Sequence, residues 1–205
     1  MRHKLVVTVV SAAGAVGLLA GVLGSGAAGA GTNPASALRS YVARYGAQAS
    51  VSPIVITNGG ATVAAVATPA RDMGKVNPSV VVLHLTGSSW KPVASFPRAS
   101  FDTPLGRYTP ILVGQLTGAA STDFFVQLAG ADHTQGVVAS NVGGHWHLVS
   151  FRKGRTASVT GTNADIVGSS ISTSINNCVP DCAAGKYTYV NYTYSPEAGA
   201  FIAQG

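Results

Sequence analysis

The chain is 205 residues long, 46% hydrophobic and only 10% charged, with thirteen Lys and Arg against seven Asp and Glu and a formal net charge of +6. Charge so sparse and scattered excludes a dedicated nucleic-acid binder, which gathers Lys and Arg on one face or helix. With two cysteines, a structural zinc centre would need histidine or carboxylate partners close by.

The amino terminus reads as an address. Arg2 and Lys4 precede an uncharged, mostly apolar run from Leu5 to Leu23, and small residues close it at Ala28-Gly29-Ala30. Charged, apolar and A-x-A-like parts in that order form a secretory signal, with cleavage expected after Ala30 or after Ala28. A retained span needs about 20 predominantly apolar residues. Ser11, Gly14, Gly17 and Gly21 dilute the run, and no Lys or Arg cluster follows Gly24-Ser25-Gly26. A cleaved leader is therefore expected over an anchor, and the lack of a nearby Cys rules out lipid attachment. Removing residues 1–30 leaves 175 of the 205, enough for one domain with a sizeable core. It also removes Arg2 and Lys4, taking thirteen basic residues to eleven against seven acidic, a net charge of +4. The expected location is extracytoplasmic, and the Ala-, Gly- and Val-rich composition is that of a high-GC bacterial genome.

Residues 31–50 are expected to hold one short helix. Asn33 suits the cap, Pro34 the first turn and Gly46 the exit, while Leu38, Tyr41, Val42 and Tyr45 share a face at helical spacing. From residue 51 to 205 the texture changes to short β-branched runs broken by Gly, Pro, Asn and Ser. The runs are Pro53–Ile56, Val80–Leu85, Ile111–Val113, Phe124–Leu128, Gly136–Ser140, His147–Phe151 and Tyr187–Tyr194. Such spacing predicts an antiparallel all-β domain. In the last run the apolar alternation shifts phase across Val190-Asn191, where a β-bulge is expected.

Three hairpins repeat. Val80–Leu85 with Trp90–Phe96, Val137–Asn141 with His145–Phe151, and Tyr187–Tyr194 with Ala200–Ile202 each close on an aromatic residue: Trp90, Trp146 and Phe201. Ile56-Thr57-Asn58-Gly59, Leu116-Thr117-Gly118 and Val159-Thr160-Gly161 precede them, and Asp123 and Asp165 follow the latter two, where they are expected to close turns by accepting N–H bonds. The expected fold is an antiparallel meander or sandwich of about three propeller-like β units with one short N-terminal helix.

The stretch Val113-Gly114-Gln115-Leu116-Thr117-Gly118-Ala119-Ala120-Ser121-Thr122-Asp123-Phe124-Phe125-Val126 resembles a degenerate FG-GAP or VCBS-type repeat, the blade unit of integrin-like β-propellers. In that family acidic or Asn residues of the stretch ligate calcium. Here Gln115, Thr117 and Ala119 stand in those places and only Asp123 remains, so the calcium site is not carried over. The stretch from Asn176 to Gly185 also resembles a recurring element of actinobacterial secreted proteins, which implies no activity.

Cys178 and Cys182 share one loop around Pro180-Asp181 and are expected to form a disulfide outside the cytoplasm, worth about 2 kcal/mol by loop entropy. His145 and His147 fall on one face of a strand and are the candidate metal ligands, short of a third and fourth. Tyr187, Tyr189, Tyr192 and Tyr194 are the candidate platform for a sugar or peptide, unless two of them face the core. The basic knot Arg152-Lys153-Gly154-Arg155 is read as a solvated hairpin tip or a contact for an anionic polymer. No G-x-S-x-G elbow, Walker loop, dinucleotide fingerprint or H-E-x-x-H occurs. No cofactor is expected. The first reading is a non-enzymatic binding module for a cell-wall polymer or surface protein, with no nucleic acid and no membrane after leader cleavage. The others are a small secreted hydrolase with a loop-built site and a metal-binding protein at His145 and His147.

Overall fold

Asn33 caps the predicted helix. Its Oδ1 accepts the Ala35 N–H at 2.9 Å, Pro34 takes the first turn where no N–H is needed, and α1 runs Pro34–Ala43. The structure is a computed structural model that describes residues 33–44, 49–68, 79–96, 107–108, 110–129, 134–151 and 158–204. The leader, Tyr45, Gly46, His133, the basic knot Arg152–Arg155 and the carboxylates Asp72, Asp102 and Asp132 lie outside the described residues.

Leu38 and Tyr41 of α1 are buried on the first of two sheets. That sheet has five strands: β1 (Ser50–Val51), β2 (Val55–Ile56), β3 (Thr62–Thr68), β4 (Ser79–Thr86) and β5 (Ser89–Phe96). β1 and β2 share one edge of β3, and Ser52 bridges the break: its N–H donates to the Ala65 carbonyl and its Oγ accepts the Ala65 N–H, both at 2.8 Å. One face of β3 and β4, with Ala64, Val66, Val81 and Leu83, lies under the helix, and Trp90 Nε1 donates to the Pro34 carbonyl at 2.9 Å. The opposite face presents Val63, Ala65, Ala67, Val80 and Val82 to the second sheet. Burial on both sides explains why β3 is a near-continuous run of Val and Ala rather than an alternation.

The second sheet has ten strands: β6 (Arg107–Tyr108), β7 (Leu112–Gly114), β8 (Asp123–Ala129), β9 (Thr134–Val142), β10 (His145–Phe151), β11 (Val159–Gly161), β12 (Asn163–Val167), β13 (Ser170–Asn176), β14 (Tyr187–Ser195) and β15 (Ala200–Gln204). Their order is β12-β13-β14-β15-β10-β9-β8-β6, with β7 also on β8 and β11 also on β9. All the pairings are antiparallel except β10 with β15, where Ser150 and Phe151 run parallel to Ala200 and Phe201. The sheet curls until β12 approaches β7: the Ile166 side chain lies 3.2 Å from where a Cβ on Gly114 would stand. The result is a nearly closed barrel.

The predicted all-β class with one short helix is the observed one. The three hairpins form as β4–β5, β9–β10 and β14–β15, the first in one sheet and the other two joined edge to edge in the other. Their closing aromatics enter three different cores. Trp90 lies under α1, Trp146 stacks on Phe124 between the sheets at 5.5 Å, and Phe201 stacks on Phe151 inside the barrel at 5.0 Å.

One expectation is corrected. No bulge interrupts β14, whose register with β13 runs without a break from Tyr187 opposite Asn176 to Thr193 opposite Ser170. The phase shift is a true change of face: Tyr187 and Tyr189 point outward, whereas Val190, Tyr192 and Tyr194 belong to the barrel interior. The bulge lies in β4–β5, where Leu83 opposes Pro92 and Val82 opposes Ala94, leaving Val93 unpaired and exposed.

The interior is packed tightly enough to forbid a methyl group. A Cβ on Gly136 of β9 would overlap the fully buried Phe125 ring. Gly136→Ala is therefore expected to destabilise the protein by about 1–3 kcal/mol, read as a lower urea midpoint with an unchanged slope.

Candidate functional site

Asp123 opens β8 and is fully buried. Its Oδ2 accepts the backbone N–H groups of Leu116 and Thr117 and the Ser121 hydroxyl at 2.6 Å, and Thr117 Oγ1 donates to Oδ1 at 3.0 Å. The β7–β8 turn thus wraps round one carboxylate. The expectation that Asp123 closes its turn through backbone N–H bonds describes what is seen. Asp165 does otherwise: it is exposed on β12 and accepts only the N–H of the adjacent Ile166 at 2.7 Å.

The barrel register sets three reactive residue types in one row. Asp123 on β8 opposes Ser140 on β9, and Ser140 opposes His147 on β10. The order is the wrong one for acyl transfer, in which the imidazole must lie between hydroxyl and carboxylate. Ser140, fully buried, instead shares a hydrogen bond with Thr117 Oγ1 at 2.9 Å, and His147 Nδ1 meets the His145 carbonyl at 3.2 Å. His145 and His147 occupy the same face of β10, with His145 exposed beside the Gly143-Gly144 turn. Among the described residues no group of three or more His, Cys, Asp or Glu is placed to hold a metal ion.

The four candidate tyrosines divide. Tyr192 packs edge-on against Phe151, Tyr194 packs against Phe201, and burial pushes the Tyr192 phenol above its ordinary 10.0. Tyr187 and Tyr189 are 48% and 69% exposed, with nearly parallel rings 6.4 Å apart. They stand on the outer face of β14, Tyr187 on a two-stranded arm where only β13 pairs with β14 and Tyr189 at its base, opposite Ser174, where β12 still flanks β13. β12 reaches only to Ser174 of β13, and β15 only to Asn191 of β14, so the ends of β13 and β14 project beyond their neighbours.

A two-stranded ribbon is marginal by itself, and the loop at its tip is correspondingly tied. Cys178 and Cys182 are disulfide-bonded, and the Val179–Pro180 peptide is cis. Asn176 accepts the Cys178 N–H at 2.9 Å and donates to the Cys182 carbonyl at 2.8 Å. Asn177 Oδ1 accepts the N–H groups of Val179 and Lys186, and Asp181 Oδ1 those of Ala183 and Ala184.

Beside the arm, the same outer face carries mostly polar side chains, with one carboxylate, Asp165, and one exposed apolar residue, Val167. One row crosses four strands as Asp165, Ser172, Asn191 and Gln204, and a second as Asn163, Ser174 and Tyr189. Among the described residues the side chains of Ser172, Asn191 and Asn163 have no hydrogen-bond partner. Sequence reading passed over this face because β13, Ser-Ile-Ser-Thr-Ser-Ile-Asn, is too polar to register as a strand. Its strict alternation of Ile171, Thr173 and Ile175 with Ser and Asn was the available signal.

The fold and this face define a small all-β protein with an outward polar and aromatic surface. No protein-family model, curated protein or solved structure matches the chain.

Two outcomes follow. Asp123→Asn places an amide among the donors that grip the carboxylate and is expected to cost about 1–3 kcal/mol in chemical denaturation. Replacing both cysteines, C178S/C182S, is expected to cost no more than about 2 kcal/mol globally while amide exchange accelerates selectively over residues 175–190.

Proposed function

We propose that this chain is an extracytoplasmic, non-enzymatic binding module for a cell-wall polymer or surface protein, exported by its leader and engaging its partner through the outer face of β12–β15. The supporting observation is the division of labour among polar groups. Asp123, Thr117, Ser121 and Ser140 are bonded to one another or to the turn they close, whereas Ser172, Asn191 and Asn163 face outward without partners among the described residues, beside an exposed tyrosine pair. A hydrolase would need the imidazole between Ser140 and Asp123, and a metal protein would need further ligands round His145 and His147. The Cys178–Cys182 bond suits an oxidising compartment, and no helix among the described residues is long and apolar enough to cross a membrane. The three aromatic-closed hairpins are read as copies of one ancestral unit placed in different sheets.

The reading is tested on protein produced with its own leader. N-terminal sequencing of the exported form is expected to begin at Gly31, or at Gly29, and Cys178 and Cys182 to accept an alkylating agent only after reduction. Retention in the cytosol with both thiols free would overturn it.

A further inference from the structure

We infer that the outer face binds a neutral polysaccharide chain laid along β14, with Tyr187 and Tyr189 stacking on successive sugar rings and Ser172, Asn191 and Asn163 meeting their hydroxyls. The inference rests on the binding-module reading and adds the ligand class and its direction. The chemistry of the face decides among ligands. Alternate residues of β14 point outward about 6.5–7 Å apart along the strand, giving the sequence Tyr187, Tyr189, Asn191, Thr193 in a line. The ring centroids of the first two are 6.4 Å apart with their planes inclined at 30°, so the pair offers an exposed aromatic surface two rings long. A single sugar would cover one of them; a chain covers both.

Charge excludes the obvious competitors. Across the two rows beside the tyrosines the only charged side chain is Asp165, and Lys186 precedes Tyr187 in the loop. Opposite single charges give no field to hold a polyanion. A protein partner would need a contiguous apolar centre that desolvates when the surfaces meet. Here the half-buried Ser172 and the exposed Asn191 and Asn163 lie beside the rings instead. Pyranose rings present C–H faces for stacking and hydroxyl edges that both donate and accept, which matches an aromatic pair bordered by unengaged hydroxyl and amide groups. The tied loop from Asn177 to Lys186 holds the arm in place before any ligand arrives, which lowers the ordering cost of binding.

The test is native affinity electrophoresis of the purified protein in gels containing hydroxyethylcellulose, galactomannan, dextran or polygalacturonate. Sedimentation with isolated cell envelopes, treated with periodate or with protease, runs alongside. At least one neutral polymer is expected to retard the protein, and polygalacturonate is not. Y187A/Y189A should weaken that retention about tenfold or more, whereas Y187F/Y189F, which keeps the rings, should stay within about threefold. Both side chains are largely exposed, so an unchanged melting curve confirms that the variants are folded. Envelope binding should survive protease and be lost after periodate. Equal retention of the alanine variant, retention by the polyanion alone, or no retention by any neutral polymer would overturn the inference. Envelope binding that periodate spares and protease abolishes would replace the sugar with a surface protein. In those cases a protein that still sediments with envelopes leaves the binding-module reading standing; if wild type binds neither envelopes nor any polymer, both readings fall.

Discussion

The pairing of β8 with β9, buried on both faces, is the constraint from which the other features take their positions. Phe124, Val126 and Leu128 point toward the five-stranded sheet, and Phe125 points into the barrel beside Val138. A strand pair with apolar residues on both sides cannot be satisfied by a flat sheet with one wet face. One side is covered by β3 and β4; the other obliges the remaining strands of the larger sheet to curl back. Gly136 is where that packing is tightest, since the Phe125 ring occupies the place of its missing side chain.

Asp123 belongs to the same constraint. It begins β8 on the inward face, where a carboxylate without partners would be costly. The β7–β8 turn supplies two backbone N–H groups and two hydroxyls, so the charge is carried inside the fold by its own loop. The same engagement removes Asp123 and Ser140 from chemistry, although the register sets them in line with His147.

Curling leaves an outside. The outer face of β12–β15 carries Asn163, Asp165, Val167, Asn191 and Gln204 exposed and Ser172 half-buried, with Ser174 buried among them. Toward the end where β13 and β14 outrun their neighbours, the same register leaves Tyr187 and Tyr189 exposed on the outer face. The disulfide-tied loop then has a mechanical role. It closes an arm too narrow to be stable alone, and it does so far from either core.

Much of this was written locally. The capped helix at Asn33-Pro34, the short branched strands, the hairpin turns at Gly87 and Gly143-Gly144 and the pairing of Cys178 with Cys182 all depend on neighbouring residues, and local chemistry names them. The turn-closing role of Asp123 was legible for the same reason. Other features were not, because they depend on which strand lies beside which. Periodicity showed Tyr187 to Tyr194 changing phase but could not distinguish a bulge from a change of buried face; the unbroken register with β13 decided that. Nor could local pattern show that β13 is a strand, that the barrel nearly closes at Gly114 and Ile166, or that Ser140 would fall between Asp123 and His147. Sequence alone determined the all-β class, the capped helix and most of the strands; tertiary structure decided which polar groups are held within the fold and which face outward. The physical reason is that a side chain's hydrogen-bonding capacity is local, whereas its partner is set by strand order and curl.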